Sequence, residues 1–240
     1  MKPTILLVFA HPDDESFTSG GTIRKYADQG SIIDLLCVTR GQAGERGPYD
    51  NTVDVGAIRS EELQSAAEVL GISSVTFLDY MDGKLSTLEP GELEDKIHKV
   101  LVQKEPDIII TFDPTGISNH PDHKRLCIST TYAFQKYAKR QVRGEKLGTR
   151  DPRRAFVSNL PPATKPEPKL YYACMPQSVA TFLKQAQIIP EESFGKPWMG
   201  TPDKAITTCV DISDYTEKKV ESLSKHKTQI ADVEIGRAHV

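Results

Sequence analysis

Several features that would assign this 240-residue sequence to a familiar class of protein are missing from it. Its four cysteines share no C-x-x-C spacing, so we expect packed, reduced thiols rather than a disulfide framework. Two of them, Cys37 and Cys209, lie in strand-like apolar runs. No G-x-G-x-x-G follows the first apolar run, which leaves a dinucleotide site of the Rossmann type without support. The formal net charge is only −3, so the overall composition does not attract nucleic acid or an anionic membrane surface.

Long apolar runs are also lacking. The first apolar run, residues 5–9, is too short for a secretory signal peptide or for a segment that spans a membrane. We therefore expect a soluble, cytoplasmic protein that has neither a membrane nor a nucleic acid as its partner. The composition leaves the oligomeric state open, a homo-oligomer included.

The sequence does contain an alternation of strand-like and helix-like segments. Apolar runs predict strands at residues 5–9, 32–38, 75–78, 107–112, 169–174 and 205–211, and other segments predict helices at 16–29, 54–70, 92–104 and 214–227. This alternation predicts an α/β protein with a Rossmann-like three-layer fold and a mostly parallel, twisted sheet. In the strand order 3-2-1-4-5, the first and fourth strands are neighbours, and we expect the active site at the carboxyl ends of the strands there.

Two clusters of histidine and acidic residues follow these two strands. Residues 11–15 (HPDDE) come directly after the first strand, and residues 120–123 (HPDH) come shortly after the fourth. Imidazole nitrogens together with carboxylate oxygens suit zinc or another first-row metal, and a cation would offset the repulsion between the carboxylates. One HPD tripeptide alone is often a capped turn, with Asp as the helix N-cap. Two of them at neighbouring strand ends favour a shared metal site.

The two clusters resemble the motifs of the LmbE/PIG-L superfamily, zinc-dependent deacetylases of N-acetylglucosamine conjugates. The resemblance extends through residues 39–44 (TRGQAG) and 113–118 (DPTGIS) to residues 211–213 (DIS) and 226–229 (HKTQ), so it covers nearly the whole chain. It is strongest with the soluble bacterial type, the deacetylases of bacillithiol and mycothiol biosynthesis. It implies a hydrolase that uses Zn²⁺, or Fe²⁺ or another divalent metal, to remove the N-acetyl group from a small-molecule conjugate of N-acetylglucosamine.

The resemblance also implies a metal-ligand set. It assigns His11, Asp14 and His123 to the metal and leaves His120 free. From the chemistry alone all four are candidates, but a catalytic zinc keeps one position open for water, so four protein ligands would make the site structural.

Amide hydrolysis then needs a base and an acid close to the metal. We expect Asp13 to take a proton from water and His120 to stabilise the tetrahedral intermediate and protonate the leaving amine, with Asp122 fixing the tautomer of His120.

Other residues are candidates for substrate contact. Arg40 follows the second strand, where it can clamp a carboxylate or phosphate, although an exposed loop arginine is the plain alternative. Ser118 occupies the place where some relatives have a tyrosine that polarises the acyl carbonyl, so zinc, His120 or a residue from the carboxyl-terminal region must replace it. Arg59 and Glu62 resemble an R-x-x-E helix that faces the site in relatives, and they also suit an ordinary ion pair.

The carboxyl-terminal pair His226 and Gln229 lies one helical turn apart. For these two residues a scaffold role is at least as plausible as substrate contact.

Two other functions remain open from the sequence: an amidase that acts on a thiol–sugar conjugate, and a metal-binding or sugar-binding protein without turnover. Asp13 and His120 speak against the second, because binding alone needs neither of them.

Two segments stand apart from the core pattern. Residues 136–154 carry a net charge of +6, which is typical of a solvated face and also suits a basic flap over an anionic substrate. Residues 234–240 (EIGRAHV) have no periodicity and match a translation of common sequencing-adapter DNA. We therefore expect one deacetylase-like domain, residues 1–233, followed by a non-native tail.

Overall fold

The structure is a computed structural model that describes residues 2–142 and 166–229. Most of the basic segment 136–154 and the whole tail 234–240 lie outside the described residues. The flap and the domain boundary at residue 233 therefore stay predictions.

Five parallel strands form the central sheet of the described residues, in the order β3-β2-β1-β4-β5. They are β1 (Thr4–Phe9), β2 (Ile32–Thr39), β3 (Ser74–Tyr80), β4 (Ile108–Phe112) and β5 (Lys169–Ala173). This confirms the predicted order, with β1 paired to both β2 and β4. A central parallel strand is covered on both faces, which explains why residues 5–9 are continuously apolar and buried.

The helices lie in two groups. They are α1 (Asp14–Asp28), α2 (Val55–Leu70), α3 (Glu92–Lys104), the short α4 (Gly116–Asn119), α5 (Pro121–Val142), α6 (Gln177–Gln185) and α7 (Thr216–Leu223). Helices α1, α2 and α7 pack together, and α3 packs on α5. Because the chain reverses its direction across the sheet after β3, right-handed crossovers place these two groups on opposite faces. The result is the predicted α/β architecture.

A second, smaller apolar cluster lies beside the main core. It consists of Met175, Ala180, Leu183, Ile189 and Trp198, and it joins α6 to the hairpin of β6 (Glu192–Ser193) and β7 (Lys196–Pro197). Ile117 packs against both clusters. The hairpin is thereby held next to α4 and the second histidine cluster.

The carboxyl-terminal prediction was wrong in two respects. Residues 206–211 form no strand, so Cys209 is exposed rather than packed in a sheet. The four cysteines are free, as expected. This segment crosses α1 instead, where Lys25 donates to the carbonyl of Asp211 over 2.6 Å. The predicted helix 214–227 is interrupted: a 3-10 turn (Ser213–Tyr215) leads into α7, and a second 3-10 turn (Lys227–Gln229) follows it.

In the part of the chain that the structure describes, every helix is too short or too polar to cross a membrane.

Candidate metal centre and active site

A cavity of about 560 Å³ opens where β1 and β4 end. Both histidine clusters contribute to its wall, together with the loops after β2 and β3 and the β6–β7 hairpin. The structure therefore brings the two sequence clusters to one place, at the sheet edge where parallel α/β folds bind their ligands.

Donor atoms of three residues, His11, Asp14 and His123, approach one another in this cavity. His123 Nε2 lies 3.2 Å from His11 Nδ1 and 3.3 Å from Asp14 Oδ1, and His11 Nδ1 lies 3.6 Å from Asp14 Oδ2. Ligand atoms bound tetrahedrally at zinc distances lie about 3.4 Å from one another. The donor set and its spacing therefore fit a divalent metal ion.

The protonation states of His123 and Asp14 also suit a metal. Burial lowers the pKa of His123 to about 3, which keeps its ring neutral. Burial alone would raise the pKa of Asp14, but His123 and the hydrogen bonds from His11 outweigh it and hold this pKa well below its usual range. One of those bonds is the 2.7 Å contact from the His11 backbone N–H to the Asp14 carboxylate.

His120 lies close to the same centre. Its ring centroid is 4.8 Å from that of His11 and 4.7 Å from that of His123. Among the described residues, these three histidines form one group that could hold a metal ion, and His11, Asp82 and Asp122 form a second. Distance alone therefore does not separate His120 from the three convergent donors.

The far side of the His11 ring faces two buried carboxylates. His11 Nε2 lies 3.0 Å from Asp82 Oδ1 and 3.4 Å from Asp122 Oδ2. The Asp122 carboxylate is fixed in turn by two backbone N–H groups of the loop after β3, those of residues 83 and 85. Burial lowers the pKa of His11, but these carboxylates and Asp14 raise it well above its usual value. Such partners orient a metal-binding imidazole, so that here Nδ1 faces the cavity.

The contact between Asp122 and His120 differs from the prediction. The Asp122 carboxylate points to His11, and it is the Asp122 backbone N–H that donates to His120 Nδ1, over 3.2 Å. The reason is that Asp122 lies in the first turn of α5, whose geometry directs its side chain toward β1 and the loop after β3. Burial and the nearby charge of His11 lower the pKa of His120.

Asp13 lies in the cavity wall with a strained backbone, at φ 109° and ψ −31°. Its carboxyl group accepts a 3.2 Å hydrogen bond from Arg59, and its backbone N–H donates to Glu15 over 3.1 Å. Burial raises the pKa of Asp13 to about 7, with the charge of Asp14 adding to the rise and that of Arg59 opposing it. The group is thus poised to exchange a proton near neutral pH.

Arg40, the predicted substrate contact, does not line the cavity. Its guanidinium group binds Asp79, donates to Ser60 over 3.0 Å and lies 4.3 Å from the centre of the Phe77 ring. The direction of its side chain, which the sequence does not specify, turns it away from the strand end. The arginine that lines the cavity is Arg59.

Arg59 and Glu62 do not make the alternative ion pair with each other. Arg59 donates to the carbonyl of Pro12 over 2.6 Å and to that of Gly41 over 3.0 Å, so it joins the loops after β1 and β2. Glu62 accepts from the backbone N–H and the hydroxyl of Thr228, over 2.9 and 2.6 Å. Arg59 therefore lines the cavity, whereas Glu62 instead binds the turn that contains Thr228.

Part of the cavity wall is apolar. Ser118 lines it, preceded by Ile117 in a left-handed conformation at φ 59°. The Trp198 indole donates to the Ile117 carbonyl over 2.7 Å and ties this strained turn to the hairpin. Met175 and Phe194 extend the same wall. The cavity lining thus combines charged side chains with apolar ones that suit carbon-rich groups.

Comparison with known proteins agrees with this geometry. The profile of the PIG-L family, described as GlcNAc-PI de-N-acetylase, matches residues 6–134, which is just over half of the chain and includes both histidine clusters. The chain belongs to the PIG-L family.

Its relatives within curated proteins are deacetylases by name. The 1D-myo-inositol 2-acetamido-2-deoxy-alpha-D-glucopyranoside deacetylase of Thermobifida fusca is 30% identical over 256 residues, covering 95% of this chain and 83% of the relative. The probable N-acetyl-alpha-D-glucosaminyl L-malate deacetylase 2 of Bacillus anthracis is 37% identical over 122 residues, covering 50% of this chain and 54% of the relative.

Among solved structures, the 4-carboxy-2-hydroxymuconate hydratase GalB of Pseudomonas putida matches with a TM-score of 0.64 and 22% identity, covering 98% of this chain and 82% of that protein. At this identity the likeness concerns the fold alone. The PIG-L fold therefore does not by itself determine the reaction, which must be argued from the residues of the site.

Sequence reasoning missed two parts of this PIG-L family site. Asp82 follows β3, and the rule that ligands gather at strand ends would have identified it. The second part is the buried contact between Glu15 Oε1 and His226 Nε2, at 2.8 Å. Burial alone would lower the pKa of His226, but Glu15 raises it. Gln229 also lines the cavity and donates to the carbonyl of Glu45 over 3.2 Å.

Proposed function

We propose that this PIG-L family protein is a metal-dependent hydrolase that removes the N-acetyl group from a small-molecule conjugate of N-acetylglucosamine. One observation carries the proposal: donor atoms of three metal-binding residue types, His11, Asp14 and His123, lie 3.2–3.6 Å apart in a cavity that also contains Asp13, a carboxyl group with a pKa of about 7. The deacetylase names of its sequence relatives support the same reaction.

The residues that would hold the metal are His11, Asp14 and His123. Two imidazole nitrogens and one carboxylate oxygen favour Zn²⁺, with Fe²⁺ as the alternative. When bound, the ion would supply Lewis acidity, which polarises an acyl oxygen and makes a water molecule more acidic.

Asp13 is the proton acceptor in this proposal. Its carboxyl group faces the cavity, and Arg59 holds it in place from the other side. A base with a pKa of about 7 is half ionised at neutral pH, so it can take a proton from water and return it to the leaving amine.

His120 acts in the proposal as a hydrogen-bond donor. Its Nδ1 accepts the Asp122 backbone N–H, which leaves the hydrogen of the neutral ring on Nε2. The lowered pKa keeps the ring neutral, so the Nε2–H group donates to the oxygen that becomes negatively charged in the tetrahedral intermediate. We therefore assign proton delivery to Asp13 and oxyanion stabilisation to His120, a revision of the roles that the sequence predicted.

The proposed substrate is a small N-acetylglucosaminide whose sugar lies beside the charged side chains of the two histidine clusters. The aglycone then lies toward the apolar wall formed by Met175, Phe194 and Trp198. The names of relatives offer two aglycones to try first, inositol and malate.

The test is acetate release from a panel of N-acetylglucosaminides, including the inositol and malate conjugates. The protein is assayed after removal of metal by a chelator and after addition of Zn²⁺ or Fe²⁺. Asp13→Asn should abolish most turnover, whereas Asp79→Asn, also at a positive-φ aspartate but outside the cavity, should retain it. Binding of metal and sugar without acetate release would instead indicate a binding protein.

A further inference from the structure

A buried charged pair lies behind Asp13, and the proposed reaction does not use it. Glu15 and His226 are each about 1% exposed, and their Oε1 and Nε2 atoms are 2.8 Å apart. The Ser16 hydroxyl donates to the same Glu15 oxygen over 2.6 Å. One oxygen of the Glu15 carboxylate is thus fixed from two directions.

The other oxygen of that carboxylate holds the backbone of Asp13. Glu15 Oε2 accepts the Asp13 N–H over 3.1 Å. Asp13 has φ 109° and ψ −31°, outside the region that L-residues normally adopt. Such a conformation persists only where surrounding contacts over-determine it, and Glu15 supplies one of those contacts.

His226 is itself fixed by the turn that follows α7. Thr228, two residues on, binds Glu62 of α2 through its backbone N–H and its hydroxyl. The second ring nitrogen of His226, Nδ1, is buried without a hydrogen-bond partner among the described residues. Its Nε2 has Glu15 as its close partner, with the Ser16 hydroxyl farther away at 3.5 Å. The ring is therefore oriented toward Glu15.

We propose that His226 is a positioning residue for Asp13. By fixing the Glu15 carboxylate, it fixes the strained backbone at residue 13 and so aims the Asp13 carboxyl group into the cavity. This inference rests on the proposed function, in which Asp13 is the base.

The first test compares His226→Ala with His226→Gln in the metal-loaded protein. A small misplacement of a catalytic group lowers turnover by roughly 10–100-fold, and we expect that loss in kcat for His226→Ala, with KM and bound metal unchanged. His226→Gln keeps an N–H donor for Glu15 and should recover most of the rate. Equal loss in both variants would overturn the proposal.

Thr228→Val is the matched control, because it removes only the hydroxyl bond to Glu62 and keeps the backbone N–H bond that holds the turn. It should lower the stability of the fold and leave kcat near the wild-type value. If Thr228→Val lowers kcat as much as His226→Ala does, the effect is one of general stability and the proposal is wrong.

A double-mutant cycle provides the second test. If His226 acts through Asp13, then His226→Ala should cost no further rate in an Asp13→Asn background. Losses that multiply in the double variant would mean that His226 acts by another route.

A third measurement does not depend on activity. The amide hydrogen of Asp13 should exchange faster in His226→Ala than in the wild type, and Thr228→Val should not reproduce this change. If the wild type releases no acetate, the proposed function fails, and this exchange rate alone decides whether His226 positions Asp13. Unchanged exchange at residue 13 would overturn the positioning role.

Discussion

The two histidine motifs have similar sequences, but their corresponding residues lie in different structural environments. Residues 11–15 read HPDDE and residues 120–124 read HPDHK. In the first, the histidine offers Nδ1 to the convergent donor set and the third residue, Asp13, faces the cavity. In the second, the third residue, Asp122, is fully buried and binds backbone N–H groups.

The cause of this difference is the point at which each helix begins. α1 begins at Asp14, so Asp13 precedes the helix and adopts a strained conformation of its own. α5 begins at Pro121, so Asp122 lies in the first helical turn. The consequence is electrostatic: burial raises the pKa of Asp13 to about 7, whereas the hydrogen bonds that Asp122 accepts outweigh burial and lower its pKa. A shift of two residues in a helix start thus separates the proposed base from a structural carboxylate.

The largest expected effect is a loss of bound metal, which should distinguish His11 from His120, the first residues of the two motifs. We expect His11→Ala to lose bound metal and with it all acetate release, because its Nδ1 is one of the three convergent donors. His120→Ala should keep the metal and lose rate, since in the proposed mechanism the His120 ring donates a hydrogen bond that stabilises the oxyanion. Metal analysis of both purified variants checks this. Equal loss of metal in both would make His120 a ligand and remove the contrast between the motifs.

Next comes the pair of aspartates. Asp13→Asn should lower kcat by about 10²–10⁴-fold, the usual loss when a general base is removed, with little change in KM. Asp122→Asn should act mainly on the fold, because an amide cannot accept from both backbone N–H groups and His11 at once. We expect it to cost about 1–3 kcal/mol of unfolding free energy in urea denaturation. If Asp122→Asn left stability unchanged, its structural role would be wrong.

A smaller effect concerns the fifth residue of each motif, Glu15 or Lys124. Glu15 raises the pKa of His226 above its unfolded value near 6.5, so their contact stabilises the fold most below that pH. That contribution is lost as the pH rises through the raised folded pKa. Lys124 donates to the neutral Asn119 side chain and lacks this coupling.

Urea denaturation between pH 5.5 and 8.5 measures the difference. The destabilisation caused by His226→Gln should shrink as the pH rises, whereas that of Lys124→Gln should stay constant. A constant destabilisation in both variants would show that His226 does not change its charge in this range.

The smallest effect is expected at Arg40, which belongs to neither motif. Its contact with Asp79 is exposed, and such ion pairs contribute about 0–1 kcal/mol. Arg40→Ala should therefore change kcat/KM less than about threefold for both anionic and neutral conjugates. A selective rise in KM for the anionic conjugate would restore Arg40 as a substrate contact.

The sheet order and the meeting of the two motifs could be predicted from the sequence. Continuous apolar runs identify buried parallel strands, and right-handed crossovers then leave few possible orders. The directions of long side chains could not be predicted in this way, as Arg40 and Arg59 illustrate. Residues 205–211 are apolar enough for a strand, but a strand also needs a neighbour to pair with, and composition does not supply that information.

The pair Glu15 and His226 was beyond such reasoning because nothing local connects its members. Glu15 belongs to the first cluster and His226 to the HKTQ motif, but the sequence gives no sign that their side chains contact each other. Contacts of this kind are visible only when α1, α2 and α7 are packed together.

The same separation along the chain has a consequence for synthesis. The last strand of the described sheet ends at Ala173, so the sheet can pair well before His226, which lies 211 residues after Glu15, has been made. At ordinary elongation rates the residues between Ala173 and His226 take roughly 3–10 s to add. During that interval a nascent chain can form its sheet and bring the proposed metal donors together. The proposed base, Asp13, still lacks the support that His226 gives through Glu15. Catalytic competence would then be acquired only after the sheet has formed.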